Sequence, residues 1–300
     1  MDGILNIDKP AGVTSFRVVA AVKALSRERR VGHAGTLDLL ATGVLPVCLG
    51  KATRVVGFLM GAVKVYRADI ELGVSTDSYD ALGNVTRTAD IASVGLADIV
   101  SALAPFHGRI RQTPPMFSAL KHRGTPLYRL ARAGIEIERA EREAVIHRLD
   151  ILAWQPPVLS LEIACGKGTY IRSIAHDLGE SLGCGASLKG LVRRACGGFR
   201  QEESVSLPRL EEAFRAGYWT RYLYPPDEAL LGFDAVVLGD AKAGILGHGG
   251  ALPARASYSD DRLCRAYDLE GRFLGVLRPE GGQWRACRVF TAPSGVRATS

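Results

Sequence analysis

Strand-like and helix-like segments are interleaved along the 300 residues without a regular strand–helix–strand alternation, which favours an α+β fold over a doubly wound parallel sheet. Two segments carry a two-residue period. Val63 to Ile70 alternates along its length, and Leu159 to Ala164 puts Leu159, Leu161 and Ile163 on one face. The second segment leads through Gly166-Lys167-Gly168 into a helical stripe of Ile171, Ile174, Ala175 and Leu178, which Gly183 should end. Thr169 is the expected N-cap of that helix. An earlier helix is expected after Thr14-Ser15, where Val18, Val22 and Leu25 recur at helical spacing.

A chain of this length can form one large domain or two. The segment from Gln112 to Arg139 opens on Pro114-Pro115 and is rich in Arg, Lys and Tyr. It reads as an inserted basic element, or as an ordinary surface helical hairpin. The character changes again near Tyr224-Pro225-Pro226-Asp227. Beyond that point, short strand candidates are separated by Gly-rich turns. Tyr267 to Leu277 reads as a hairpin around Glu270-Gly271, and Gly281-Gly282 precedes a strand ending at Phe290. This pattern suggests a small β-barrel. The expected division is 1–228, with the insertion at about 112–139, then 229–292, then a frayed tail at 293–300.

Several function classes lose support. The N-terminus has no basic n-region followed by an apolar stretch, and no apolar run approaches the roughly 18 residues of a membrane helix. A cytoplasmic location is therefore expected. The six cysteines include no C-x-x-C pair, and no H-E-x-x-H is present, so no metal site is expected and the cysteines should be small core residues. Gly50-Lys51 and Gly166-Lys167 fail as P-loops, because Leu45 and Leu161 stand where a Gly is needed and neither Lys is followed by Ser or Thr. The excess of 38 Lys and Arg over 31 Asp and Glu gives a net charge of +7. That balance suits a polyanionic partner, and equally a protein that is merely basic and soluble.

The stretch from Gly32 to Pro46 is the most informative. It sets a single carboxylate, Asp38, among glycines, small residues and apolar residues, with His33 nearby. A carboxylate in apolar company must be paired, hydrogen-bonded or protonated. Asp38 therefore reads either as a reactive group or as a loop residue bonding its own backbone. Two other segments carry suitable partners. Lys64-Val65-Tyr66-Arg67 puts an aromatic between cations on a strand. Gly168-Thr169-Tyr170-Ile171-Arg172 puts a Tyr and an Arg in the first turn of a helix. Arg172 could pair with Asp38, and an aromatic could stack on a base.

Together these residues bring a resemblance. Gly32 to Arg54 resembles the signature of the TruB family of tRNA pseudouridine synthases. So do Gly3 to Ser15, with Asp8-Lys9-Pro10 and Gly12-Val13-Thr14-Ser15, and Leu72 to Val85. Gln112 to Lys121, Lys167 to Gly179 and Leu191 to Phe199 are similar as well. The motifs keep the family's order over about the first 200 residues. Leu39 stands where the family usually has Pro, and Val192 where an Arg is common, with Arg193 and Arg194 following.

The resemblance implies conversion of uridine 55 in the T-loop of tRNA to pseudouridine. The N1–C1′ bond breaks, the uracil rotates, and C5 joins C1′. Asp38 matches the catalytic aspartate, and Arg172 the arginine paired with it. Tyr66 matches the tyrosine that stacks on the target base and acts in removing the C5 proton. His33, Tyr170 and Leu191 match residues that line or organise the pocket. The implied fold is a pseudouridine-synthase domain with a mixed, largely antiparallel sheet flanked by helices. A PUA-like RNA-binding module at about 230–292 would contact the acceptor end of tRNA. The basic insertion would be a loop gripping the T-arm. No cofactor, metal or obligatory protein partner is implied, and a monomer is expected.

The chemistry is consistent with the residues. The target nucleotide must leave its stack, at a cost of a few kcal/mol that basic contacts can offset. A carboxylate can then attack C1′, attack the uracil, or remove a sugar proton to give a glycal. Two other readings compete. One is a non-catalytic RNA-binding or tRNA-folding protein on the same scaffold. The other is a related synthase acting on a ribonucleoprotein target.

Overall fold

The computed structural model describes residues 1–253 and 262–290. The expected tail at 293–300 lies outside them. An eleven-stranded mixed sheet carries the chain as far as Tyr224. Eight strands form its continuous path. In chain order they are β1 (Gly3–Lys9), β2 (Thr42–Leu49), β3 (Lys64–Leu72), β4 (Gly108–Gln112), β5 (Arg142–Gln155), β6 (Val158–Cys165), β7 (Ala186–Cys196) and β8 (Val205–Ser206). In space the order is β8-β1-β2-β7-β3-β6-β5-β4. Only β8–β1 and β2–β7 are parallel along this path. The sheet is thus mixed and largely antiparallel, as expected.

The two strands predicted from alternation, β3 and β6, are direct neighbours, with Leu161 opposite Ala68 and Ile163 opposite Tyr66. Their apolar faces join one core with Val18 and Val22 of helix α1 (Ser15–Ser26) and with Ile171, Ile174, Ala175 and Leu178 of a later helix, Ile171–Ser181. Burying each such side chain contributes about 1.5–3 kcal/mol. Thr14 caps α1 as expected, its hydroxyl accepting from the Arg17 amide at 3.2 Å.

The expected cap of the later helix is corrected. Tyr170, not Thr169, occupies the N-cap. Gly168 turns the chain at φ +81°, and the Thr169 hydroxyl donates back to the Gly166 carbonyl. Gln112, buried at the end of β4, takes over the capping. Its Oε1 accepts from the Tyr170 amide at 3.1 Å and its Nε2 donates to the Tyr170 carbonyl at 3.2 Å. Gly183, at φ +74°, follows the helix end as predicted.

The 112–139 segment is not a helical hairpin. Two-residue strands, Lys121–His122 and Thr125–Pro126, pair across a turn with positive φ at Arg123 and Gly124, and a short helix, Leu127–Arg132, follows.

The C-terminal module adds β9 (Asp234–Val237), β10 (Leu252–Pro253), β11 (Cys264–Tyr267), β12 (Phe273–Glu280) and β13 (Gln283–Val289). Their order is β9-β11-β12-β13-β10, an open path among the described residues, so the expected barrel is a half-barrel. The predicted hairpin around Gly271 is β11–β12. A helix at Asp240–Gly247, not foreseen, covers the sheet through Leu246. The module shares a core with the main sheet: Val276 and Phe290 are buried with Ile4, Val44, Cys48, Val55, Leu59 and Phe199. Arg54 donates to the Val289 carbonyl, and Lys51 Nζ to that of Phe290 at 3.2 Å. Five cysteines are buried and Cys287 is partly exposed. No helix among the described residues is long and apolar enough to cross a membrane.

Candidate active site

Asp38 sits on the connection between Val31–His33, which pairs with β2, and β2 itself. Both of its neighbours are pinned. Leu37 is buried in the core, and the hydroxyl of Ser15, 1% exposed at the start of α1, accepts from the Leu37 amide at 2.9 Å and donates to its carbonyl at 3.3 Å. The Gly12 amide donates to the Leu39 carbonyl at 2.9 Å. A turn closes from the Ala41 amide to the Asp38 carbonyl. The backbone is thereby fixed while the Asp38 side chain stays 35% exposed.

Arg172 enters from the first turn of the helix at Ile171–Ser181, with its side chain 4% exposed. Its Nε donates to Asp38 Oδ2 at 2.9 Å and its Nη2 to Oδ1 at 2.8 Å, a two-pronged charge-assisted pair. Two backbone carbonyls accept further bonds. Nη1 donates to the Ser78 carbonyl and Nη2 to that of Phe117. A second carboxylate, Asp80, lies 3.6 Å from Nη1 and is nearly buried. It accepts from the Ser78 hydroxyl at 2.8 Å and the Leu82 amide at 3.0 Å. One guanidinium thus joins Asp38, the 77–84 turn and the basic insertion.

These groups border a cavity of about 360 Å³, within the usual range for small-molecule sites. Its lining includes Asp38, Arg172, Asp77, Ser78, Asp80 and Asn84, with Phe117, Tyr128 and Arg132 from the insertion. Leu39, the departure from the family pattern, lines it beside Leu82. Of the residues singled out in the sequence, Asp38 and Arg172 face this space. Tyr66, Tyr170, His33 and Leu191 do not line it. Tyr170 directly precedes the Arg172 helix. His33 ends the short strand before the Asp38 loop. Leu191 is buried on β7 opposite Ala68 of β3.

Several basic groups lie buried in the main sheet away from the cavity lining. Lys9 is fully buried, donating from Nζ to the Pro10 and Val13 carbonyls at 2.9 and 2.7 Å, and burial pulls its ammonium down to about 8. Buried Lys64 donates to the Leu59, Met60 and Ala62 carbonyls. Burial and then the charge of Arg193 lower the His33 imidazole. Burial pushes the Tyr66 phenol up to about 12, with Arg193 opposing the rise, and burial also raises Tyr170. Sequence reasoning missed Ser15, Asp80 and Arg193 as parts of the site. Each nevertheless lies in a segment that resembles the family, Gly3 to Ser15, Leu72 to Val85 and Leu191 to Phe199.

A carboxylate held at both oxygens by a guanidinium, with open space beside it, can act as a nucleophile or as a base. Among the described residues no cluster of three His, Cys, Asp or Glu side chains could hold a metal ion.

Comparison with known proteins agrees with this chemistry. Residues 23–171 match the TruB family pseudouridylate synthase N-terminal domain, and 172–231 the tRNA pseudouridylate synthase B C-terminal domain. The chain is 45% identical to tRNA pseudouridine synthase B of Dehalococcoides mccartyi over 98% of both chains. It is 43% identical to the protein of the same name from Clostridium acetobutylicum, over 94% of this chain and 97% of that one. Among solved structures, it resembles a chain in a Cbf5–Nop10–Gar1 complex with a TM-score of 0.76 and 27% identity, covering 97% of this chain and 85% of that one. With near-complete coverage added to the fold and the cavity, the chain belongs to the TruB family of tRNA pseudouridine synthases, enzymes that isomerise uridine in tRNA.

Proposed function

We propose that the chain converts uridine 55 in the T-loop of tRNA to pseudouridine, with Asp38 as the catalytic carboxylate. The observation that carries this reading is the two-pronged Asp38–Arg172 pair at the edge of the cavity. The flipped uridine occupies the space beside Asp38. Asp38 acts either at C1′ or the uracil as nucleophile, or on a sugar proton as base. The uracil turns while enclosed, C5 joins C1′, and the C5 proton leaves. Tyr66 is assigned to the base and its C5 proton, and His33, Tyr170 and Leu191 to the shape of the pocket. The Tyr66 ring does not border the present cavity, so its contact with the base requires a local rearrangement.

Phe117, Tyr128 and Arg132 support a gripping role for the insertion, since they place aromatic and cationic groups over the cavity. The division at about residue 228 and contact of the C-terminal half-barrel with the acceptor end of tRNA belong to the same reading, as does action in the cytoplasm as a monomer without an obligatory partner.

The test uses the purified chain alone and an unmodified tRNA transcript tritiated at uracil C5. Tritium release at position 55 is expected from the wild type and not from Asp38→Asn, which should still bind tRNA. No release from the wild type would reject the function as stated. Release by Asp38→Asn would reject the residue.

A further inference from the structure

Among the described residues Arg193 is the largest fully buried side chain, 1% exposed on β7. Among the described residues no carboxylate lies within ion-pair distance of it. A buried cation without an acidic partner is costly, and an apolar side chain of similar size would fill the same volume without that cost. Its contacts are instead directed at the site. Nε donates to the Val44 carbonyl at 2.6 Å, and Nη2 to the Gly35 carbonyl at 3.3 Å. Those two carbonyls bracket the loop that carries Asp38.

The register explains how it reaches them. Arg193 stands opposite Tyr66 across β7–β3 and opposite Gly43 across β7–β2. Cross-strand partners project to the same face, so the guanidinium and the phenol are neighbours. Gly43, at φ +96°, brings β2 against the Arg193 backbone, where a Cβ would collide with it. A bulge follows, between Arg193 and Ala195, and Arg194 points outward to Glu202. The charged and titratable groups facing Tyr66 are Arg193 and Cys196 on β7 and Cys165 on β6, and Arg193 is the cation among them.

We propose that Arg193 is a positioning residue, which holds the Tyr66 hydroxyl and the Gly35–Val44 backbone carrying Asp38 in one fixed relation. This rests on the assignment of Asp38 and Tyr66 above. The guanidinium acts through both groups without touching the substrate. It orients the phenol and offsets the negative charge that the phenol bears when ready to take a proton.

Site-specific 3-fluorotyrosine at position 66 gives a direct readout, because its fluorine resonance follows ionisation of that one ring. In folded Arg193→Gln the titration midpoint should rise by about one pH unit. Single-turnover tritium release should fall roughly ten- to hundred-fold, with tRNA affinity unchanged. An unmoved midpoint in the folded variant overturns the proposal. Should Arg193→Gln fail to fold, Arg193→Lys decides: it keeps the charge but lacks the planar reach. A rate loss of at least about ten-fold at a native melting temperature supports the proposal, and a wild-type rate overturns it. Inactive wild type would reject the assigned reaction instead, while the fluorine titration would still report the Arg193–Tyr66 coupling.

Discussion

Arg172 meets Asp38 edge-on, with Nε and Nη2 on the two carboxylate oxygens, and its remaining nitrogen faces Asp80 at 3.6 Å. Asp80 thereby fixes the plane in which Arg172 presents its fork. Arg172→Lys cannot reproduce two parallel bonds, and it leaves the Ser78 and Phe117 carbonyls short of a donor. We expect single-turnover tritium release to fall by roughly 100-fold or more. Asp80→Asn keeps the shape and should lose roughly ten- to hundred-fold. Asp80→Ala also strands the Leu82 amide and should lower stability by about 3 kcal/mol. Wild-type rates in both Arg172→Lys and Asp80→Asn would reject this coupling.

Ser15 acts at a distance of 22 residues in sequence, joining α1 to the backbone beside Asp38. Ser15→Ala removes the one side chain that satisfies both polar groups of Leu37 in a buried setting. The expected cost is about 1–3 kcal/mol. Because the affected backbone adjoins the carboxylate, the chemical step should slow while tRNA affinity holds. A stability loss with an unchanged single-turnover rate would show that the loop does not need this anchor.

Two glycines with positive φ separate backbone strain from collision. Gly12, at φ +74°, has open space where a Cβ would go, whereas a Cβ on Gly43, at φ +96°, would run into the Arg193 backbone. Gly12→Ala should cost about 1–2 kcal/mol, the ordinary penalty of a left-handed residue. Gly43→Ala should cost about 4 kcal/mol or more, because β2 and β7 must part. Equal melting temperatures for the two variants would contradict the close approach of these strands.

The sequence made the Asp38–Arg172 pair legible because both residues lie in segments of strong local character, a Gly-rich loop and the first turn of an amphipathic helix. Strands β3 and β6 and the β11–β12 hairpin were legible from alternation and turn residues. Non-local contacts were not. Gln112 takes the capping role assigned to Thr169 from 58 residues upstream. Arg193 and Arg194 look alike in the sequence, and the pairing of β7, which sets Arg193 opposite Tyr66, decides which one is buried. The helix at Asp240–Gly247 has two glycines and no extended apolar stripe, so no periodicity announced it. Tyr66 was placed correctly on its strand, but a strand position does not tell which cavity a ring borders.

Acid should stabilise one part of the fold. Asp177 lies on the Arg172 helix, and burial, then Glu141 and Glu180, pushes its carboxyl up to about 6. The unfolded group titrates near ~3.9. Between those values the folded chain binds more protons than the unfolded one, so stability falls as pH rises through about 4 to 6. Solvent reaching the group limits the loss to about 1 kcal/mol. Asp177→Asn should therefore raise the melting temperature by about 2–4 °C at pH 8 and leave it unchanged at pH 4. An equal gain at both values would assign the effect to packing.

The C-terminal half-barrel covers part of the core that the main sheet leaves open. Val276 and Phe290 are buried against Ile4, Cys48, Val55 and Leu59, while Arg54 and Lys51 donate to the Val289 and Phe290 carbonyls. The sheets divide near residue 228, but the hydrophobic cluster does not. Deleting residues 232–300 would expose that apolar surface, at a cost of about 5 kcal/mol or more. Domains have about 5–15 kcal/mol to lose, so the truncated chain should melt well below the intact one and bind a hydrophobic dye. Loss of tRNA affinity in such a truncation would then mix two effects, a missing contact and a weakened fold. Surface charge reversals on the half-barrel separate them, because they leave Val276 and Phe290 in place. A truncated chain that keeps the intact melting temperature would show that the two sheets are stable independently.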